Sequence, residues 1–346
     1  MKQNLNLQKT RFSSSNSFLG FRSYFKDTFD STRFDSIFVI KGNPGGGKSS
    51  AMKRCAEIAS GLGHPTELIY CSSDRRSLDG VIIGGDKRIG ILDGTAPHER
   101  DAVIPGAVDM LVNFGKCIKI EEIRKRRDEI IYLNSKKQSE YSNAYRELSF
   151  SYKYWINIKA EYKKSVNATK MKTAENLIRT VLSRPCADTD IRLLSSFSKD
   201  GYTHLDSPFD KGNIYSISGN KALAAMLCSI LSDKIGKEKT AFLSPLDPEI
   251  YEGFADADGN CITIHAGADP LFASDEFFDI TEERAGEIGY LTDNMTAHLN
   301  EARSHLQKAS VYHFDIEEIY NPCMDFSALN EIVEDLVNKI KNILLY

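Results

Sequence analysis

Paired cysteines are missing from this chain. Its seven cysteines are scattered over 346 residues and include no C-x-x-C pair. An odd, scattered set fits neither a zinc site nor a disulfide framework. We therefore expect reduced thiols, a cytoplasmic location and no structural zinc.

Long apolar runs are missing as well. No run of about 18 apolar residues occurs, so a membrane-spanning helix is not expected. Residues 1–11 are polar and lack the apolar core of a secretion signal. With 41% hydrophobic and 27% charged residues, the composition is that of an ordinary globular protein, and the length predicts two domains.

The strongest motif that the chain does contain is a match to G-x-x-x-x-G-K-S, which we call the phosphate loop. Its residues are Gly42, Asn43, Pro44, Gly45, Gly46, Gly47, Lys48 and Ser49. An apolar run at 37–40 precedes it and a helical stretch at 49–62 follows it, as the motif requires. The sequence therefore predicts a nucleotide-binding turn, which extends to Ser50.

The residue types of the phosphate loop suit phosphate chemistry. Glycines allow backbone N–H groups to converge on phosphate oxygens, and the following helix N-terminus favours negative charge. We expect Lys48 to contact the β- and γ-phosphates of ATP and Ser49 to bind Mg²⁺. No guanine-specific Asn/Thr-Lys-x-Asp sequence is evident, which favours ATP over GTP.

An internal repeat is the next feature. With a shift of 173 positions, ten identities fall within 50 residues without a gap. The pairs are Lys48/Lys221, Ala51/Ala224, Cys55/Cys228, Gly63/Gly236, Asp74/Asp247, Gly80/Gly253, Ile89/Ile262, Ile91/Ile264, Gly94/Gly267 and Pro97/Pro270. Because glycine, aspartate and proline recur at predicted element ends, we predict a duplicated α/β unit.

The second copy lacks the phosphate loop. A predicted strand at 213–217 runs directly into Ser218-Gly219-Asn220-Lys221, which is too short to surround a triphosphate. Ser49 aligns with Ala222, and Asp93 aligns with Ala266. The sequence predicts one nucleotide site, in the first copy, and a second copy that keeps the fold without the chemistry.

Asp93 is the predicted partner of the Mg²⁺ ion. It ends a short apolar strand at 88–93, where P-loop enzymes place an acidic residue near the metal. The dipeptide Asp93-Gly94 also suits an ordinary turn, which is the alternative.

Asp74 and Asp79 are candidates for a catalytic base. Both positions stay acidic in the second copy, as Asp247 and Glu252, although that copy has lost the loop. For Asp74 the alternative is a helix N-cap, which Pro248 after Asp247 favours.

The sequence does not single out one residue to activate water or to neutralise phosphate charge. No Glu directly follows Asp93, so a hydrolase of this kind is expected to be slow or to need help. Arg75, Arg76 and Arg100 are candidates for neutralising charge on the γ-phosphate, and each is equally compatible with a surface role. His98 is a further candidate for contact with nucleotide.

A long helical region follows the first copy. From Gly106 to Arg184 there is no proline, and 17 Lys/Arg stand against 8 Asp/Glu between 116 and 184. This net +9 contrasts with −4 for the whole chain, so an acidic protein or nucleic-acid partner is possible at this surface. Tyr152, Tyr154, Trp155 and Tyr162 are available to stack on bases, or else to pack against a neighbouring helix.

Together these patterns predict an α/β fold of two tandem P-loop NTPase-like three-layer units, the second degenerate, with a long helical hairpin inserted and C-terminal helices. The predicted boundaries are 1–114 for the first domain, 115–184 for the hairpin, 185–280 for the degenerate domain and 281–346 for the helical end. Oligomeric state is not indicated.

The chain resembles a known bacterial family in four segments. These are Gly42–Ser49, Cys71-Ser72-Ser73-Asp74, Leu78-Asp79-Gly80-Val81-Ile82-Ile83 and Asp93-Gly94-Thr95-Ala96-Pro97-His98. The family is a largely uncharacterised group of tandem P-loop ATP-binding proteins, found mainly in Firmicutes. The resemblance implies ATP binding and hydrolysis. Gly46 replaces a usual Thr, and the shortened second loop departs from family members that keep two.

Three functions remain open from sequence. The first is a slow or partner-stimulated Mg-ATPase with one active site, using Lys48, Asp93, Asp74 and Asp79. The second is a kinase acting on a small molecule or nucleotide. The third is a non-enzymatic, nucleotide-gated scaffold that binds protein or nucleic acid.

Overall fold

The computed structural model describes residues 8–186, 190–205, 209, 211–235, 239–265 and 270–345. Contacts divide them into two compact units. Unit 1 contains residues 8–14, Ser23–Ser142 and 305–345, and unit 2 contains Ser15–Arg22 together with the described part of Asn143–Ser304. Each unit is built around one six-stranded sheet.

Sheet 1, in unit 1, is mixed. The strands of this half of the chain are β1 (Gln8–Phe12), β2 (Ser14–Ser17), β3 (Gly20–Ser23), β4 (Ser36–Lys41), β5 (Thr66–Tyr70), β6 (Leu78–Ile83), β7 (Ile89–Asp93) and β8 (Asp109–Asn113). The sheet order is β1-β5-β6-β7-β4-β8, with β2 and β3 as a separate pair. Strand β6 is antiparallel to both of its neighbours, and the other pairings are parallel.

Sheet 2, in unit 2, repeats this topology. Its half of the chain contains β9 (Ile191–Arg192), β10 (Ser195–Ser198), β11 (Gly201–His204), β12 (Ile214–Ser218), β13 (Thr240–Leu243), β14 (Tyr251–Ala255), β15 (Cys261–Thr263) and β16 (Pro270–Ala273). The order β9-β13-β14-β15-β12-β16 matches sheet 1 strand for strand, including the antiparallel strand β14. The predicted duplication of an α/β unit agrees with this match.

The helices repeat as well. They are α1 (Phe25–Thr28), α2 (Lys48–Gly61), α3 (Ile120–Arg124), α4 (Arg127–Lys164), α5 (Ala168–Val181), α6 (Lys221–Ile235), α7 (Glu282–Tyr320) and α8 (Phe326–Leu345). Each sheet is followed in the chain by a helix of 38 or 39 residues and then by a shorter one. The repeated unit is therefore longer than the 50-residue match in the sequence.

Alternation along β4 explains how sheet 1 is covered. Phe38 and Ile40 join the core beneath α2 and α8, whereas Ile37 and Val39 face a smaller core on the opposite side. Within the described residues, that opposite core contains Phe25, Phe29 and Phe34, which lie in or next to the four-residue α1 or before β4. Aromatic side chains therefore cover part of this face of the sheet.

The long helices differ from the predicted hairpin. Helix α4 is antiparallel to α7, far along the chain, with Glu140 bound to His305 Nδ1 at 2.6 Å and Glu147 bound to His298 Nδ1 at 2.8 Å. Ser151 Oγ also donates to the Met295 carbonyl oxygen at 3.1 Å. Helix α5, the other helix of segment 115–184, packs on α6 instead. Helical periodicity predicts an apolar face but does not identify its partner.

The shorter helices are exchanged between the halves. Helix α8, from the second half of the chain, packs on α2 within unit 1, and α5, from the first half, packs on α6 within unit 2. Equivalent backbone hydrogen bonds join each exchanged helix to its unit. Asp325 N donates to Cys117 O at 2.8 Å in unit 1, and Asn167 N donates to Phe277 O at 3.0 Å in unit 2.

Several sequence predictions can be compared directly with this fold. The strand at 37–40, the strand ending at Asp93 and the helix after Lys48 are confirmed. Ala266 and Gly267, aligned with Asp93 and Gly94, and Gly236, aligned with Gly63, lie outside the described residues. None of the helices in the described ranges combines the length and apolar character needed to cross a bilayer.

Candidate functional site

The phosphate loop leaves the carboxyl end of β4 and enters α2. Gly45 (φ +69°) and Gly47 (φ +77°) adopt left-handed backbone conformations that favour glycine. Gly47 is the N-cap of α2, and its carbonyl accepts the Ala51 N–H at 3.0 Å. The expected strand–loop–helix geometry is therefore present.

The Lys48 side chain turns back over the loop. Its ammonium Nζ donates to the carbonyl oxygens of Gly42 at 3.2 Å and Asn43 at 2.9 Å. It also lies 3.5 Å from Asp93 Oδ2. A half-buried lysine is thus held at the mouth of the loop, with a carboxylate opposite.

Asp93 ends β7, which pairs directly with β4 so that Ile40 is opposite Asp93. Its Oδ1 accepts the Thr95 N–H at 2.9 Å and the Thr95 hydroxyl at 2.6 Å. The turn predicted for Asp93-Gly94 and a carboxylate near the predicted phosphate site are both present. One oxygen stabilises the turn after β7, and the other faces Lys48.

Ser49 and Asp93 are compatible with a Mg²⁺ ion beside a phosphate chain. Ser49 Oγ accepts the Leu78 N–H at 2.9 Å, which leaves a second lone pair for a metal. Magnesium is usually held by one or two protein groups, with phosphates and water completing its shell. The described residues contain no cluster of three or more His, Cys, Asp or Glu able to hold a metal alone, so phosphate oxygens have to contribute.

Asn43 adds an uncompensated polar atom to the loop. Its Oδ1 is buried without a hydrogen-bond partner among the described residues. Unpartnered buried oxygens are costly, about 1–3 kcal/mol, and typically accept a bond from a ligand or water. This atom is consistent with a loop that is completed by something else.

Asp79 lies on β6 at the same sheet edge and is buried against a histidine. His98 Nε2 is 3.0 Å from Asp79 Oδ2, and the His98 ring stacks on Phe25 with centroids 4.4 Å apart. Asp79 also adds to burial in raising the pKa of the Cys71 thiol well above its usual value. The carboxylate is thus part of a packed cluster, and its Oδ2 has no hydrogen-bond partner among the described residues.

Unit 2 contains an equivalent acid–histidine pair. Glu252, which aligns with Asp79, accepts from His265 Nε2 at 2.8 Å and from Ser195 Oγ at 2.6 Å. Tyr202 donates to the other Glu252 oxygen, and its pKa is raised well above normal by burial and by this carboxylate. The pair therefore also occurs in the unit that has lost the loop. The sequence register missed the pairing because His98 and His265 do not align.

Asp74 occupies a tight turn, so the alternative interpretation of this residue as a helix N-cap is wrong. Its Oδ1 accepts the Arg76 N–H at 3.0 Å, and the Arg76 guanidinium binds the same carboxylate at 3.0 and 3.1 Å. Asp247 repeats the turn, accepting the Glu249 N–H at 3.0 Å. No helix follows either residue, because the chain enters β6 or β14 within a few residues.

The candidate arginines have structural roles or are exposed. Arg100 binds Asp109 at 3.1 Å and Ser31 at 2.7 Å and also contacts the Phe29 carbonyl. Burial lowers the pKa of Arg100, and Asp109 opposes that effect. Arg76 is held by Asp74, while Arg75 is exposed.

Glu317, near the end of α7, was missed by sequence analysis and lies on the phosphate loop. A methyl group added at Gly45 would be 3.2 Å from Glu317 Cβ and 3.6 Å from Asn321 Oδ1. His313 holds the pKa of Glu317 below its usual value, helped by the Gly45 backbone N–H and by Lys48, whereas burial opposes them. Glu317 lies too far along the chain for any local motif to connect it with the loop.

The corresponding turn of unit 2 is closed. The Asn220 side chain accepts the Ala222 and Leu223 N–H groups that begin α6, at 2.9 and 3.2 Å. Asp275 Oδ2 accepts the Asn220 N–H at 3.0 Å, and Lys221 is exposed. The N-terminus of α6 has its donors satisfied from within the chain.

The aromatic residues of α4 are packed. Trp155 is buried and donates from its indole N–H to Asp247 at 2.7 Å, and Tyr162 is buried beside Phe278. Tyr154 stacks on His298, and Tyr152 contacts Phe18 at 5.6 Å between ring centroids. These contacts favour packing over base stacking for this set.

No family model, curated protein or solved structure matches the chain. The family resemblance of the sequence motifs therefore stays a prediction, and the site is interpreted from its own geometry.

Proposed function

We propose that the protein is a Mg-ATP-binding P-loop NTPase with one active site, in unit 1, and that it hydrolyses ATP slowly. The observation that carries this proposal is the juxtaposition of Lys48 with Asp93, 3.5 Å apart, at the mouth of a glycine-rich loop that begins α2. A loop of this shape presents N–H groups and a lysine to phosphate.

In the proposed reaction, Lys48 exchanges its contacts to Gly42 and Asn43 for the β- and γ-phosphate oxygens. Ser49 and Asp93 would hold Mg²⁺, which would neutralise charge on the phosphates. A water oxygen bonds to the γ-phosphorus, the bond from that phosphorus to the ADP oxygen breaks, and the water proton is released. These residues act by position and charge.

The state of the other carboxylates argues for slow turnover. Asp74 is bound by Arg76, and Asp79 is buried 3.0 Å from His98, so neither carboxylate is exposed to solvent without a neighbouring cationic or imidazole group. Unassisted P-loop hydrolysis is slow, and we expect turnover below ~1 s⁻¹. Because Asp74 is already bound to Arg76, the kinase hypothesis, which needs a free carboxylate for an acceptor hydroxyl, is weakened.

The proposal includes a cytoplasmic location, with which the seven free cysteines are consistent.

The test compares Lys48→Ala with Lys221→Ala in the full chain. The two lysines are aligned by the repeat, but Lys221 is exposed and begins a helix with satisfied donors. We expect Lys48→Ala to abolish Mg-ATP binding by calorimetry and ADP release in a steady-state assay, and Lys221→Ala to change both less than twofold.

The outcomes separate the three functional classes. Binding with turnover that Lys48→Ala removes supports the NTPase. Binding without turnover favours a gated scaffold, and turnover that appears only with an acceptor favours a kinase. Equal effects of the two substitutions would contradict a single site.

A further inference from the structure

A negatively charged side chain lies against the phosphate loop. Glu317 projects from the last turns of α7 toward Gly45, the fourth residue of the loop, and a Cβ at Gly45 would be 3.2 Å from Glu317 Cβ. The Gly45 backbone N–H and the Lys48 charge both help to hold the pKa of the Glu317 carboxyl below its usual value. These are two of the groups that bind phosphate oxygens in loops of this class.

His313 fixes the direction of the Glu317 side chain. It lies one helical turn earlier, with Nε2 3.4 Å from Glu317 Oε1. Asn321 Oδ1 lies on the other side of Glu317 in sequence and also approaches Gly45. Glu317 and Asn321, the residue that directly follows α7, therefore both lie beside Gly45.

In unit 2, a carboxylate that is part of the fold lies at the turn that corresponds to the phosphate loop. There, Asp275 Oδ2 accepts the Asn220 N–H just before α6, and a methyl group at Gly219 would lie only 2.0 Å from that oxygen. Asp275 belongs to the 3-10 turn Ser274–Phe277, whose partner in unit 1 is Phe114–Cys117 with Gly115 at the matching place. The carboxylate that is built into unit 2 is thus absent from that place in unit 1.

We propose that Glu317 is an internal competitor of the nucleotide, a carboxylate on α7 that occupies the phosphate position of the loop and leaves it when nucleotide binds. This inference rests on the proposed function of the phosphate loop. The carboxylate and a phosphate repel one another, and the Gly45 N–H and the Lys48 charge favour both of them. Nucleotide affinity is therefore set partly by how readily the end of α7 releases the loop.

The test measures Mg-ATP and Mg-pyrophosphate binding to the full chain by calorimetry for wild type, Glu317→Gln and Glu318→Gln. Glutamine retains the size of the side chain but removes the charge. Glu318 is exposed on the same helix, so its substitution changes the net charge equally without touching the loop. We expect Glu317→Gln to bind both ligands roughly tenfold more tightly, within the usual range of coupling between sites, and Glu318→Gln to match wild type.

Each outcome either supports or overturns the competitor role of Glu317, and the nucleotide-binding function is tested by whether any of the proteins binds at all. Tighter binding by Glu317→Gln alone supports the competitor, including a case in which wild type is too weak to detect. Wild-type binding that Glu317→Gln leaves unchanged or weakens overturns the competitor but leaves the loop as a nucleotide site. Equal tightening by both variants reduces the effect to net charge and also overturns it. No binding by any of the three proteins, with unchanged thermal unfolding, overturns both proposals.

Discussion

Gly94 shows why one small residue follows Asp93. Its N–H donates to Ile40 O at 2.9 Å, which places the backbone beside β4. A Cβ at this position would lie 2.4 Å from Val39 Cγ1 and 3.0 Å from the Arg100 carbonyl oxygen. The Asp-Gly dipeptide therefore serves the close approach of two chain segments at the candidate site as well as the turn.

We expect Gly94→Ala to destabilise the protein by roughly 1–3 kcal/mol, because overpacking forces neighbouring atoms to move. Urea unfolding followed by circular dichroism measures the change. Gly61→Ala, at the end of α2, is the matched control, since nothing lies within 4 Å of its added Cβ. Equal losses in the two variants would contradict a steric cause.

At the residue scale, the sequence predicts the parts of the site that lie in local motifs. Lys48, Ser49 and Asp93 are found at the expected sheet edge because strand ends adjoin in the fold. The His98 partner of Asp79 and the approach of Glu317 depend on long-range packing. No spacing rule connects such residues.

At the scale of elements, α8 and α5 each begin with a side-chain cap of the same kind. Asp325 Oδ1 accepts the Ser327 and Ala328 N–H groups at 3.0 and 3.1 Å, and Asn167 accepts the Lys170 N–H at 3.1 Å at the start of α5. Each cap directly follows the backbone bridge that joins the exchanged helix to its unit. Cap and bridge together fix where the helix begins.

Removing the cap of α8 with Asp325→Ala is expected to cost about 1 kcal/mol, since orphan N–H groups lose their acceptor. Asp335→Ala removes the same charge from an exposed position on the same helix, where its ion pair with Lys339 contributes little. Thermal unfolding compares the two, and hydrogen exchange in the first turn of α8 localises the effect. A larger loss in Asp335→Ala would rule out capping as the cause.

Elements with strong local signals were predicted, and their partners were not. The phosphate loop and its flanking strand and helix follow from glycines and an apolar run. The pairing of α4 with α7 follows from contacts such as Glu140 with His305, which are 165 positions apart. The amphipathic pattern of either helix is compatible with several partners.

At the scale of the whole molecule, the duplication was visible in the sequence, but the exchange of α5 and α8 was not. Repeat alignment compares residues in order and assigns each helix to the half in which it is encoded. The core of unit 1 nevertheless includes Leu329, Val333, Leu336, Val337 and Ile340 from α8. Domain boundaries drawn along the sequence therefore cut through the core of a unit.

A fragment of residues 1–186 is consequently expected not to fold, although it contains the whole phosphate loop. It lacks five buried α8 side chains, each contributing about 1.5–3 kcal/mol. Circular dichroism and hydrogen exchange of this fragment, alone and mixed with a separate 321–346 peptide, measure the dependence. A cooperative melt of the fragment alone would show that α8 is dispensable.

The exchange of α8 also sets an order of events during synthesis. Helix α2 is made roughly 265 residues before α8, an interval of roughly 10 to 50 seconds at cellular elongation rates. Throughout that interval the apolar side chains of unit 1 lack the buried α8 residues of the same core and are exposed to other nascent chains and to chaperones. The phosphate loop, which leads into α2, gains the α8 part of its core and the proposed Glu317 contact only late in translation.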